Sequence, residues 1–294
     1  MAAATDRSRQ RAEARRRELA ERQRHEARRR LLLRILLPVG LVVAVVAVFV
    51  VVKVATGGGS TPAADGVIAS GAAPASVVQT VTSVPTSAFD TVGVSGDATA
   101  PTPIANGTDL TADGKPRVLY VGGEFCPFCA AERWVTVVAL SRFGTFADLG
   151  QTNSSADDVH PNTATLSFSG ASYTSEYLAF DGYETTDRER KPLDTLPAAD
   201  ETQLQQLDTG GSIPFQDLGG KFSQTGAGYD PSLLADKTHA QIAQAIADPS
   251  SDIAKAVLSA ANLYTARLCT LTDGQPGEVC TSPGVTAATS SLGS

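Results

Sequence analysis

The chain has four cysteines, and two of them form Cys126-Pro127-Phe128-Cys129. Thiols at this spacing suit disulfide exchange. At the start of a helix, free amide hydrogens and the macrodipole stabilise a thiolate on the first sulfur. That lowers its pKa below the free value of about 8.5 and makes it a nucleophile. The second thiol, one turn on, then resolves the mixed disulfide. Cys126 is therefore read as the attacking thiol and Cys129 as the resolving one. Half of a zinc site has the same spacing. His160 and His239 stand alone, however, and Cys269 and Cys280 are 11 residues apart, so no metal site is read. Two thiolates can also carry a soft metal in transit. Exchange needs no organic cofactor, since the disulfide is itself the redox group.

The elements around the pair suit this chemistry. Val118-Leu119-Tyr120-Val121 reads as a buried strand ending at Gly122-Gly123. Pro127 suits a first helical turn. The following stretch to Phe143 places Ala131, Trp134, Val135 and Val138 on one stripe and Glu132, Arg133, Thr136 and Arg142 elsewhere, which predicts a helix with one buried face. Thr163–Ser169 alternates as a strand with one wet face, with Tyr177–Phe180 as its expected neighbour. Asp200–Leu207 is a short helix. Ser212–Leu218, containing Ile213-Pro214, starts a hairpin that turns at Gly219-Gly220; proline is allowed at a strand start. Thr238 and Gln241 form a capping box, and a second helix starts at Ser251 or Asp252. Cys269 and Cys280 flank a turn-rich loop. They are read as a structural disulfide at the end of the last helix, the alternative being a second redox pair.

The charge is divided. Twelve of the 24 Lys and Arg residues precede Ile35, all of them arginine, against five acids there; the rest of the chain carries 12 bases and 26 acids. Ile35–Val52 is an uncharged apolar run of 18 residues. With Leu31–Leu33 ahead of it, the run reaches the length that crosses a bilayer. Arg28, Arg29, Arg30 and Arg34 lie before it and only Lys53 follows closely, which places the N-terminus in the cytoplasm and the body outside. The rival reading is a cleaved signal peptide, but the charged and apolar regions are long for one. The expected organisation is a basic cytoplasmic head at 1–30, a transmembrane helix at 31–53 and a flexible linker at 54–73. An extracytoplasmic domain follows at 74–280, then a disordered tail at 281–294. The N-terminal arginines, interleaved with Glu, are expected to meet anionic membrane lipids rather than nucleic acid.

A strand, the Cys-Pro-Phe-Cys turn, a long helix and a later Ile213-Pro214 at a strand start together resemble the thioredoxin-like superfamily. The likeness spans roughly residues 115–268, with extra material between the first helix and the proline strand. It implies an α/β fold, a central mixed sheet flanked by helices, with insertions. It also implies a cis bond before Pro214, with Ile213 and Pro214 forming the substrate-facing wall and Phe128 exposed beside it. More narrowly, the run Gly123–Trp134, the Gly211–Phe215 segment and the C-terminal cysteine pair are similar to the membrane-anchored family called domain of unknown function 929. Phe125 stands where the well-known thioredoxins carry tryptophan, and Pro127-Phe128 is closer to glutaredoxin-like and oxidant-type sites. Glu124 and Glu132 are the candidates for moving protons to Cys129; the other reading of each is a solvated acid at the helix start.

The expectation is a membrane-anchored, extracytoplasmic thiol–disulfide oxidoreductase. Its partners would be the thiols or disulfides of exported proteins, together with a redox partner that resets the site. The alternative is a redox-inert binding module of the cell envelope, because a fold alone does not make an enzyme.

Overall fold

The computed structural model describes residues 70–293. The basic head, the apolar run at 31–53 and most of the linker lie outside them. Among the described residues no helix is long and apolar enough to cross a membrane. The elements run in this order: β1 (Gly71–Ala72), α1 (Ala75–Thr82), α2 (Thr86–Val92), β2 (Thr102–Pro103), β3 (Thr111–Ala112), β4 (Lys115–Gly122), α3 (Pro127–Leu140), β5 (Gly144–Ala147), β6 (Gly150–Asn153), β7 (Ala164–Ser167), β8 (Ser172–Ser175), β9 (Ala179–Glu184), α4 (Ala198–Leu207), β10 (Phe215–Leu218), β11 (Phe222–Thr225), a 3-10 turn at Pro231–Leu234, α5 (His239–Ala247), α6 (Asp252–Leu271), α7 (Gly277–Cys280) and α8 (Pro283–Ser291).

β4 is the middle of a mixed sheet. β9 lies parallel to it, with Arg117 opposite Ala179 and Gly122 opposite Glu184. β10 lies antiparallel on the other side, with Val121 opposite Phe215 and Val118 opposite Leu218. β11 and then β2 extend the sheet beyond β10, and β3 folds onto the start of β4. Alternation along β4 divides its side chains between two cores. Val118 and Tyr120 join the large core with α3 and α6, while Leu119 and Val121 meet Phe215 and the α4 residues Leu204 and Leu207. Arg117 ties α4 down by donating to both carboxylate oxygens of Asp200, at 2.7 and 2.8 Å. Helices thus flank a mixed sheet on both faces, as expected.

The material between α3 and β9 forms two small sheets, β6-β7, to which the N-terminal β1 adds an edge, and β5-β8. It braces α3. Trp134 Nε1 donates to Ala164 O at 3.1 Å, and Thr165 Oγ1 donates to Ala130 O at 2.8 Å.

Five expectations change. α3 is not a one-sided helix: Glu132, Arg133 and Thr136 are fully buried, because elements cover it from several directions. The wet face expected of β7 is buried too, and Thr165 and Ser167 spend their hydroxyls on partners inside the protein. The strand near Tyr177–Phe180 begins at Ala179 and pairs with β4, while β7 pairs with β6. Gly71 and Ala72, expected in the linker, form an edge strand against β6. The expected tail at 281–294 is helical through Ser291, and α8 buries Val285 and Ala288.

Cys269 and Cys280 are bonded, with their Cα atoms 5.6 Å apart. The bridge joins the last turn of α6 to α7, and α8 follows directly. Closing a loop of that length restricts the unfolded chain by about 3 kcal/mol. Replacing both cysteines by serine is expected to lower unfolding free energy by about 2–3 kcal/mol, measured in urea. An unchanged stability would mean that packing alone holds the C-terminal helices.

Candidate functional site

The end of β4 delivers the chain into the cysteine turn. Gly123 lies so close to its neighbours that a Cβ there would sit 2.7 Å from Thr186 Oγ1. Glu124 N donates to Thr186 O at 2.9 Å, and Ser155 N donates to Phe125 O at 2.8 Å, so two loops grip the approach. Cys126 is the N-cap of α3 and Pro127 occupies its first turn. Both cysteines are free thiols. Cys126 is 6% exposed and Cys129 is fully covered, so an incoming sulfur meets Cys126 first.

The Ile213–Pro214 peptide is cis. Ile213 O accepts from Cys126 Sγ at 3.7 Å, which brings the approach to β10 against the Cys126 sulfur. Gly226 N donates to Pro214 O at 2.8 Å and fixes the turn from behind. Ile213 is half-buried, Pro214 is buried and Phe128 is 39% exposed. The Phe128 ring stands edge-on to His160, with centroids 5.9 Å apart, and Arg190 lies over Phe125 at 4.1 Å. His160 and Arg190 thus pack on the phenylalanines that stand on either side of Cys126 in the sequence.

The two sulfurs are electrostatically unlike. The hydrogen bond with the Cys129 thiol draws Cys126 down to about 7 against the opposing effect of burial. Cys129 N–H, 3.4 Å from the Cys126 sulfur, and the Arg133 charge act in the same sense. Burial, followed by the bond to Cys126, pushes Cys129 well above the ordinary thiol range. One nucleophilic thiol and one protonated partner is the asymmetry that exchange needs.

The two candidate proton-moving acids are buried and bonded elsewhere. Glu124 accepts from Ser70 Oγ and Ser167 Oγ, both at 2.7 Å. Glu132 accepts from Gln216 Nε2 at 2.8 Å and from Gly228 N at 2.7 Å, and burial raises its carboxyl to about 8. Neither is a solvated acid at the helix start. The charged pair that bears on the sulfurs is one that sequence reasoning missed, Arg133 with Glu184. Arg133 is one turn beyond Cys129, a spacing that does signal a shared helix face. Nothing local in the sequence points to Glu184. Among the described residues no group of three or more His, Cys, Asp or Glu side chains is placed to hold a metal ion.

Residues 103–209, about a third of the chain, match the family model described as domain of unknown function (DUF929). That match supports the likeness to DUF929. The matched region runs from the end of β2 through α4 and contains Cys126, Cys129, Arg133 and Glu184; Pro214 and the disulfide lie beyond it. No curated protein and no solved structure matches the chain.

Proposed function

We propose that this chain is a membrane-anchored, extracytoplasmic thiol–disulfide exchange protein with a thioredoxin-like core. Cys126 is the nucleophile and Cys129 the resolving thiol. The observation that carries the reading is the unlike pair: Cys126, lowered to about 7 at a helix N-cap, above a fully covered Cys129 held high. The cis Ile213–Pro214 bond beside the sulfur supports it. So does the strand order β9-β4-β10-β11, with α3 and α4 as crossovers, which resembles the thioredoxin arrangement. Ile213, Pro214 and the exposed Phe128 form the face for an extended segment of an exported protein. The apolar run at 31–53 anchors the chain, and its arginines meet anionic lipid.

The test is the reduction potential of the full chain in detergent micelles, equilibrated in glutathione buffers, beside Cys126→Ser. A reversible two-electron transition, absent in the variant, is the expected result. Its midpoint fixes the direction, since related dithiols span about 150 mV. A pair that never closes, or never opens, would sink the exchange reading and leave a redox-inert binding module.

A further inference from the structure

Behind the dithiol lies a fully buried ion pair. Arg133 Nε and Nη2 donate to the two Glu184 carboxylate oxygens at 2.7 and 2.6 Å, and neither side chain is exposed. Arg133 Nη2 also donates to Gly123 O at 2.8 Å. That same carbonyl accepts from Cys126 N at 3.2 Å. The guanidinium is therefore fastened to the turn that carries the attacking sulfur, and Arg133 follows Cys129 by one turn on α3.

A buried ion pair is a poor device for stability, because desolvating two charges offsets most of their attraction. Here it is also incompletely bonded. Arg133 Nη1 and the Tyr120 hydroxyl are buried without partners. Each such donor costs about 1–3 kcal/mol. Tyr120, Arg133, Glu184 and both cysteines are within electrostatic reach of one another. The Arg133 charge favours the anionic form of both sulfurs, while Glu184 opposes it at Cys129, so the cation and its counter-ion act on the dithiol in opposite senses.

We propose that Arg133 is a positioning residue that stabilises the anionic sulfur of the exchange step, with Glu184 holding its guanidinium in register. In resolution, the Cys129 sulfur attacks Cys126, the Cys126–Cys129 bond forms, and the bond from Cys126 to the substrate sulfur breaks. The Cys129 proton ends on the departing substrate thiol. Charge passes from one sulfur to the next throughout, beside a cation that does not move.

The inference rests on exchange at Cys126. It is tested in the full chain by the pH dependence of Cys126 alkylation, together with the reduction potential. Arg133→Met with Glu184→Met removes both charges at similar volume, and Arg133→Gln with Glu184→Gln does so if the methionine pair does not fold. Either double variant is expected to raise the Cys126 midpoint by about one pH unit. It should also shift the dithiol equilibrium toward the disulfide, about twofold at pH 7 and approaching tenfold near pH 9, where the potential is lower by about 30 mV. Arg133→Lys, which keeps the charge, should titrate near the wild type. Glu184→Gln, which leaves the cation unopposed, should titrate no higher than the wild type. A folded double variant with wild-type midpoint and potential would overturn the inference alone and leave the pair as a tie between α3 and β9. A wild-type protein without a redox transition would overturn both this inference and the exchange reading.

Discussion

On the proposed exchange reading, a protein carrying Cys129→Ser is expected to accumulate as mixed disulfides with exported proteins. Cys126 keeps its N-cap position, the backbone amide donor 3.4 Å away and the buried Arg133, so attack continues. Loss of the Cys129 thiol removes the bond that most lowers Cys126, which slows attack without preventing it. Resolution is what fails. A correctly held neighbouring group reaches effective molarities of about 10^5 M or more, whereas external thiols at millimolar levels replace it poorly. Release of the adduct should therefore slow by at least about a thousandfold. On a non-reducing gel, the variant should show thiol-sensitive adducts that Cys126→Ser and the double serine variant lack. Adducts that turn over at the wild-type rate would mean that Cys129 is not the resolving thiol, and the asymmetry between the two sulfurs would then need another use.

The parts of this protein legible in its sequence are those written locally. The cysteine turn follows from residue types a few positions apart, and the proline-led hairpin from Ile213-Pro214 and Gly219-Gly220. The capping box at Thr238 and Gln241 was legible for the same reason, and both of its hydrogen bonds form. What failed depended on distant partners. Arg133 reads as a surface residue until Glu184, 51 positions on, is known to face it. Glu132 reads the same way until Gln216, 84 positions on, is placed beside it. β9 is half polar and contains Gly182, where a Cβ would sit 2.8 Å from Phe168 Cβ. That glycine marks a close approach that only the fold reveals. α8 has few large apolar residues and reads as a tail. It docks because Gly284 approaches the backbone of Phe89 closely and its N–H donates to Asp90 Oδ1 at 2.9 Å.

Stability is expected to fall as pH rises from about 4.5 to about 8, and Glu132 is the reason. Its carboxyl is held up at about 8 in the fold, chiefly by burial, against an ordinary value of 4.5. Between those values the folded protein keeps a proton that the unfolded chain gives up. The unfolded state binds fewer protons there, so unfolding free energy decreases with pH. The contribution is whole below 4.5, declines by up to about 1.4 kcal/mol per pH unit, and is spent once pH passes the folded value. Across the window this comes to about 4 kcal/mol, the largest single effect on stability argued for this fold. Glu132→Gln removes the titration and keeps an acceptor for Gly228 N. Urea unfolding of both proteins from pH 5 to pH 8.5 should therefore show wild-type stability falling relative to the variant. Parallel curves would mean that Glu132 is already ionised in the fold, with its bonds to Gln216 and Gly228 outweighing its burial. The consequence reaches the site. Gly228, held by Glu132, is two residues from Gly226, whose N–H donates to Pro214 O. Ionisation of Glu132 therefore acts on the same short loop that holds the cis-proline beside Cys126, so weakening of the fold and a change in Cys126 reactivity should appear over the same pH range.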